Sequence, residues 1–170
     1  KGSYISVKTI LTTVLSADGL RKAACCNLSE SFDNTGAVDI EYADAVTSAK
    51  QISMRCLAGI YNQVLLENTP FIRLLSHQFG LSFVPGVWME AISIAKGNSS
   101  VTTGYEGMTG QINIDYKKPE KNQERFFLNL FTNSMGKGEI NLNTRIKIKE
   151  HLSTMFLLHT EGQFAKLDLN

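Results

Sequence analysis

The chain is short of several residue types that would narrow its chemistry. It has three cysteines in 170 residues, Cys25, Cys26 and Cys56. That odd count builds no disulfide framework, and neighbouring cysteines seldom bond because the eight-membered ring is strained. No histidine stands close enough to a cysteine to suggest a structural zinc site. Charge of one sign is missing too: 17 basic against 16 acidic residues leave a net +1, which points to neither nucleic acid nor an anionic surface. No run of about 18 apolar residues is present, which excludes a spanning helix; strands of a membrane barrel alternate and escape that test. No apolar signal-peptide core follows Lys1.

Catalytic groupings are also lacking. His77, His151 and His159 are scattered, with no Ser-His-Asp or Cys-His arrangement in the spacing. Ser76 lies in no nucleophile elbow. The glycines from Gly104 onward lead into a strand and not into Lys-Ser or Lys-Thr, so they are no phosphate loop. The residues predict neither an enzyme nor a cofactor.

What the chain does have is alternation. Residues 91–95 and 111–116 follow the period of half-buried strands. Between them stand Gly97, Gly104, Gly107 and Gly110, which suggest positive φ or main chain too close to a neighbour for a β-carbon. Upstream, residues 5–13 are rich in Val, Ile and Thr and read as one strand. Ser16 is an expected N-cap, with Asp18 in the first turn, for a helix through Leu20, Ala23 and Ala24. A second helical turn is expected over residues 28–32, with Leu20, Ala24, Leu28 and Phe32 as a buried stripe.

Val38, Ile40 and Tyr42 alternate with Asp39 and Glu41 as a strand with one wet face. Residues 43–49 read as a bend, and residues 51–57 and 62–66 as strands on either side of Gly59. Residues 71–84 read as a loop carrying Phe71, Arg73, His77, Gln78 and Phe79, and loops on a scaffold concentrate binding residues. Phe79, Leu81 and Phe83 also alternate as a buried extended segment does.

The charged run from Lys117 and Lys118 through Pro119 to Arg125 is a linker signature, dividing the chain into domains at 1–119 and 120–170. Beyond it, residues 126–133, 139–149 and 152–160 alternate. In the middle segment Ile140, Leu142, Thr144, Ile146 and Ile148 oppose Glu139, Asn141, Asn143, Arg145 and Lys147. That dyad pattern fits a transmembrane barrel strand and equally a soluble sheet with one wet face.

One order of motifs is more specific. A strand, Lys96-Gly97, small residues, Gly104-Tyr105-Glu106-Gly107-Met108-Thr109-Gly110 and a strand containing Ile112-Asn113-Ile114 follow LRKAACCNLSESF and DAVTSAKQISMRCLAGIYNQVLLENTP. Over roughly residues 4–170 this order resembles TonB-dependent outer-membrane receptors, especially those of Bacteroidetes-type bacteria. The resemblance implies an α+β fold: a small mixed-sheet plug domain with short helices, then antiparallel strands from the start of a transmembrane barrel of about 22 strands.

The implied function is energy-dependent import of a scarce ligand across the outer membrane of a Gram-negative bacterium. That ligand is a metal chelate such as a ferric siderophore, or a metal ion, with oligosaccharide or peptide cargo as further options. Implied partners are the TonB complex, the ligand and outer-membrane lipid, with self-association of the barrel strands when they stand alone. Arg55 and Lys96 match the basic residues that form a plug–barrel ionic lock. The segment of Phe71, Arg73, His77, Gln78 and Phe79 matches the one that rises toward incoming ligand.

The chain departs from the family pattern at Cys56, where glycine is usual, and at Glu67-Asn68-Thr69-Pro70, which replaces Asp-Gly-Val-Pro; no TonB box is identifiable. Cys25 and Cys26 are candidates for soft metals such as copper(I) or zinc, although on a helix they point about 100° apart. As small buried hydrophobes they need no metal. The alternative to the receptor is a soluble periplasmic α+β binding or adaptor module whose last strands form an ordinary meander.

Overall fold

The computed structural model describes residues 3–7, 11–17, 19–20, 28, 32, 36, 38–44, 49–57, 59–73, 76–77, 80, 84–97, 106–119, 124–132, 134, 136–149 and 152–163. The chain divides into two compact units, Lys1–Tyr116 and Lys117–Asn170.

The strands of the first unit are β1 (Ser3–Val7), β2 (Leu11–Ser16), β3 (Asp39–Asp44), β4 (Ala49–Ser53), β5 (Asn62–Leu66), β6 (Thr69–Ile72), β7 (Met89–Lys96) and β8 (Gly110–Tyr116). Six of them make one sheet in the order β1-β2-β7-β8-β5-β6, and β3 pairs with β4 in a separate ribbon. The sheet is mixed because β5 runs parallel to β8 while its other pairs are antiparallel.

Its centre follows from the isoleucine alternation. Ile92 lies opposite Ile114 and Ile94 opposite Ile112, and all four are fully buried with Val64, Ile72 and Met89. A register shift between Met89 and Ala91 inserts one residue, so odd-numbered Met89 turns to the same side as even-numbered Ile92. Leu20, Leu28, Phe32, Val38, Ile52, Met54 and Val84 close over this face and complete the core. Each such side chain is worth roughly 1.5–3 kcal/mol of burial.

Several expectations are corrected here. Residues 5–13 are not one strand but parts of β1 and β2, which pair antiparallel from Ser3↔Leu15 to Val7↔Leu11. Ser16 is no helix cap; it is the last residue of β2, paired with Ala91. Among the described residues helix is limited to short pieces: residues 17, 19 and 20, and 3-10 residues at 32, 76–77, 80, Gly59–Tyr61 and Gly86–Trp88. Leu20, Leu28 and Phe32 are nevertheless buried; Ala24 lies outside the described residues. The strand expected over 51–57 stops at Ser53, and Phe71 belongs to β6 and not to a loop.

Two tight turns explain those endings. Met54 and Leu57 exchange backbone hydrogen bonds at 3.2 and 3.1 Å, with Arg55 at φ 54° and Cys56 at φ 60° between them. Glu67 (φ 50°) and Asn68 (φ 63°) join β5 to β6 in the same way. Positive φ at both central positions is the geometry that suits a two-residue hairpin. The second turn is braced from outside: Asn68 N donates to Asn113 Oδ1 at 2.7 Å, and Tyr116 N donates to Glu67 Oε1 at 2.9 Å.

The second unit is one antiparallel sheet of β9 (Phe126–Thr132), β10 (Lys137–Lys149) and β11 (Leu152–Gln163) in the order β11-β10-β9. Its pairing runs from Lys137↔Gln163 to Lys149↔Leu152 on one side and from Gly138↔Thr132 to Thr144↔Phe126 on the other. Every residue of the hydrophobic core cluster lies in the first unit.

Candidate functional site

The sheet of the second unit has its faces reversed relative to a sheet that folds around an apolar interior. Along β10, Ile140, Ile146 and Ile148 are 45%, 51% and 56% exposed, whereas Glu139, Asn141 and Asn143 are 2%, 1% and 2% exposed. Phe126, Leu128 and Leu130 of β9 and Leu152, Phe156 and Leu158 of β11 are exposed as well. Registers bring these apolar side chains together, Leu142 opposite Leu128 and Leu158, and Ile140 opposite Leu130.

On the other face several polar groups pair with one another, although Glu139 Oε2 is buried with no hydrogen-bond partner among the described residues. Lys137 Nζ lies 2.8 Å from Glu139 Oε1 and 3.2 Å from Glu161 Oε2, holding together two carboxylates that the register sets directly opposite. His159 Nδ1 lies within hydrogen-bond distance of Asn141 Oδ1, at 2.6 Å. A buried charge left without a partner costs several kcal/mol, which makes Lys137 a structural requirement of Glu139.

A second cluster occupies one end of the six-stranded sheet. Arg73 follows β6 directly, and Glu106 precedes β8, whose first residue pairs with Asn62 and Lys96. Arg73 Nε lies 3.0 Å from each oxygen of Glu106, and its Nη2 lies 2.8 Å from Oε1. That is the bidentate fork of a guanidinium on a carboxylate. Its members differ in access: the Arg73 side chain is 48% exposed and that of Glu106 only 13%.

His77 is buried in this cluster. Burial pushes its pKa below the ordinary histidine value, and the Glu106 carboxylate pulls the other way without overcoming it. Met108 N and Thr109 N both donate to Tyr61 O, at 3.1 and 3.2 Å, and Thr109 Oγ1 bonds Asn62 Oδ1. Around this junction Leu57, Ile60, Tyr61 and Met108 are exposed. The chain leaves the unit from the opposite end of the sheet, at Tyr116, whose ring meets Trp88 edge-on at 6.2 Å.

The other expected residues fall as follows. Arg55 is exposed at the tip of its turn, and Lys96 is exposed at the end of β7, with Nζ 3.3 Å from Gly36 O. Phe71 is exposed on β6. Gly97 has φ 116°, and a β-carbon on Gly110 would meet Met54 Cε at 2.6 Å and Ala95 O at 2.7 Å. Gly107 is buried. Gln78, Phe79, Gly104, Cys25 and Cys26 lie outside the described residues.

The expected residues did not include Glu106 as the partner of Arg73. The available signal was that Glu106 is the one acidic side chain in the glycine-rich stretch 97–110.

No protein-family model and no curated protein matches the chain. Among solved structures it is similar to the ferric-catecholate import receptor Fiu from E. coli K12, with a TM-score of 0.72 and 21% identity over 91% of this chain and 21% of that one. It is similar to the siderophore receptor PirA from Acinetobacter baumannii, with a TM-score of 0.66 and 16% identity over 88% of this chain and 24% of that one. The copper transporter OprC matches with a TM-score of 0.62 and 14% identity over 85% of this chain and 23% of that one. The likeness is one of fold, and the chain spans between a fifth and a quarter of the length of these three proteins.

Proposed function

We propose that this chain, whose fold is that of TonB-dependent outer-membrane receptors, supplies the plug domain, residues 1–119, and the first barrel strands of such a receptor. The assembled protein imports a scarce ligand across the outer membrane of a Gram-negative bacterium, with energy delivered by the TonB complex and no bond made or broken. The ligand is a metal chelate such as a ferric siderophore, or a metal ion. Fiu and PirA, named for ferric-catecholate and siderophore reception, support the first, and OprC, named for copper transport, the second.

The observation that carries this reading is the reversed sheet. An apolar band outside and a buried polar face inside is what a barrel wall between lipid and lumen requires. A soluble adaptor needs the opposite arrangement, because its strands must bury Ile140, Ile146 and Ile148. With β9 and β11 as open edges of the described sheet, the chain on its own self-associates through these strands.

Arg55 and Lys96, both exposed, serve in this reading as the plug's cations for a lock onto barrel-wall glutamates. Phe71 and Arg73, both exposed, serve as the ligand-facing group, whereas His77 is buried and does not face a ligand. The test is growth of a strain lacking the gene on defined iron and copper sources. Loss of growth on one source, reproduced by removing the TonB complex, supports import; unchanged growth and metal uptake on every source contradict it.

A further inference from the structure

The ion pair at the end of the plug sheet is uneven in a way that suits exchange. Its guanidinium is about half open to solvent while its carboxylate is mostly covered, so a second oxyanion can reach Arg73 before Glu106 has left. The bidentate geometry selects for two adjacent anionic oxygens. Tyr61, Ile60 and Met108 stand exposed at the same sheet end, and the Met108 backbone is fixed there by the hydrogen bond its N–H donates to Tyr61 O. An aromatic and two apolar side chains at the same sheet end as a cation match an organic anion that has a flat apolar face.

We propose that Arg73 is the anion-recognising residue of this site, and that Glu106 holds its place until an organic oxyanion, a carboxylate or a catecholate, displaces it. The inference rests on the import reading above and adds to it the charge class of the cargo and the residue that competes with it. Displacement costs the Arg73–Glu106 bonds, which the ligand replaces in kind, and it also requires the mostly covered Glu106 carboxylate to turn toward water once its partner is taken. The net preference therefore comes from the apolar contacts and from any further charge the ligand carries. A neutral chelate has nothing to exchange and gains only the apolar contacts.

The experiment is a binding titration of the detergent-solubilised protein with ferric tris(catecholate), an anion, and with ferric tris(acetohydroxamate), which is neutral. Arg73→Lys keeps the charge and loses the fork. It weakens anion binding by roughly 3- to 10-fold, and Arg73→Ala by about 10-fold or more, in keeping with charged hydrogen bonds. Glu106→Gln strengthens anion binding by roughly 3- to 10-fold, because an amide competes less well for Arg73. Binding of the neutral complex changes in none of the variants.

A tighter-binding Glu106→Gln is the result that a merely structural ion pair does not give. If Glu106→Gln weakens both complexes alike, or changes neither, the exchange is wrong while the import reading stands. If neither complex binds the parent protein and growth on metal sources is intact, the cargo is of another class and this proposal falls alone. If growth is also unaffected by deletion, both readings fall.

Discussion

Ile140 and Asn141 are consecutive residues of β10, yet the isoleucine is 45% exposed and the asparagine 1%. The relationship recurs along β10, where Glu139 and Asn143 are buried and Ile146 and Ile148 are open. Removing an isoleucine from water is worth roughly 1.5–3 kcal/mol, so a sheet evolved for aqueous surroundings does not leave a band of them outside. The band is favourable only where its surroundings are themselves apolar.

The Lys137–Glu139 ion pair on the buried face predicts a specific non-additivity. Lys137→Met leaves Glu139 with a buried negative charge and destabilises the sheet by about 2 kcal/mol, less than for a fully buried pair because the lysine is partly solvated. Adding Glu139→Gln to Lys137→Met recovers most of that loss. Denaturant titration of the two single variants and the double variant measures the coupling.

The turn at residues 55–56 predicts a gain. Cys56 adopts φ 60° without being glycine, a conformation that costs an L-residue roughly 1–2 kcal/mol. Cys56→Gly raises the thermal midpoint of the first unit. Gly110→Ala lowers it, by about 1–3 kcal/mol of stability, because the added carbon meets the Ala95 carbonyl. Fluorescence of Trp88, the single tryptophan, follows both transitions from within the core unit.

His77 predicts the acid side of the stability profile. Its pKa in the folded protein lies below the ordinary 6.5 because burial disfavours the charged ring. Over the window below 6.5 the unfolded chain therefore binds more protons, and stability rises with pH there. The contribution is fully present above 6.5 and is lost as pH falls through the folded value. His77→Gln flattens this part of the profile, and a variant profile with the parent's slope contradicts the assignment.

Much of this architecture was legible because strand alternation is a local signal. Ile92, Ile94, Ile112 and Ile114 declare a two-residue period in the sequence, and so do the segments of the second unit. The break between β1 and β2 was not legible, since Lys8, Thr9 and Ile10 carry none of the Gly, Pro, Asn or Asp that mark turns. The turn at Arg55 and Cys56 was hidden for the same reason. The Arg73–Glu106 pair joins residues 33 apart, and no local pattern encodes such a contact. Alternation also left open which face of β10 meets water, because the same dyad serves a soluble sheet and a barrel wall. Burial of the asparagines beside exposed isoleucines is the observation on which the barrel-wall proposal rests.

The most direct measurement is a tryptophan scan of β10 in a Trp88→Phe background, with the protein in vesicles of lipids brominated along their acyl chains. Single tryptophans at positions 140, 146 and 148 are predicted to be quenched strongly, and those at 141 and 143 to be quenched little. Equal quenching at both sets, or quenching confined to positions 141 and 143, contradicts a wall whose apolar face meets lipid.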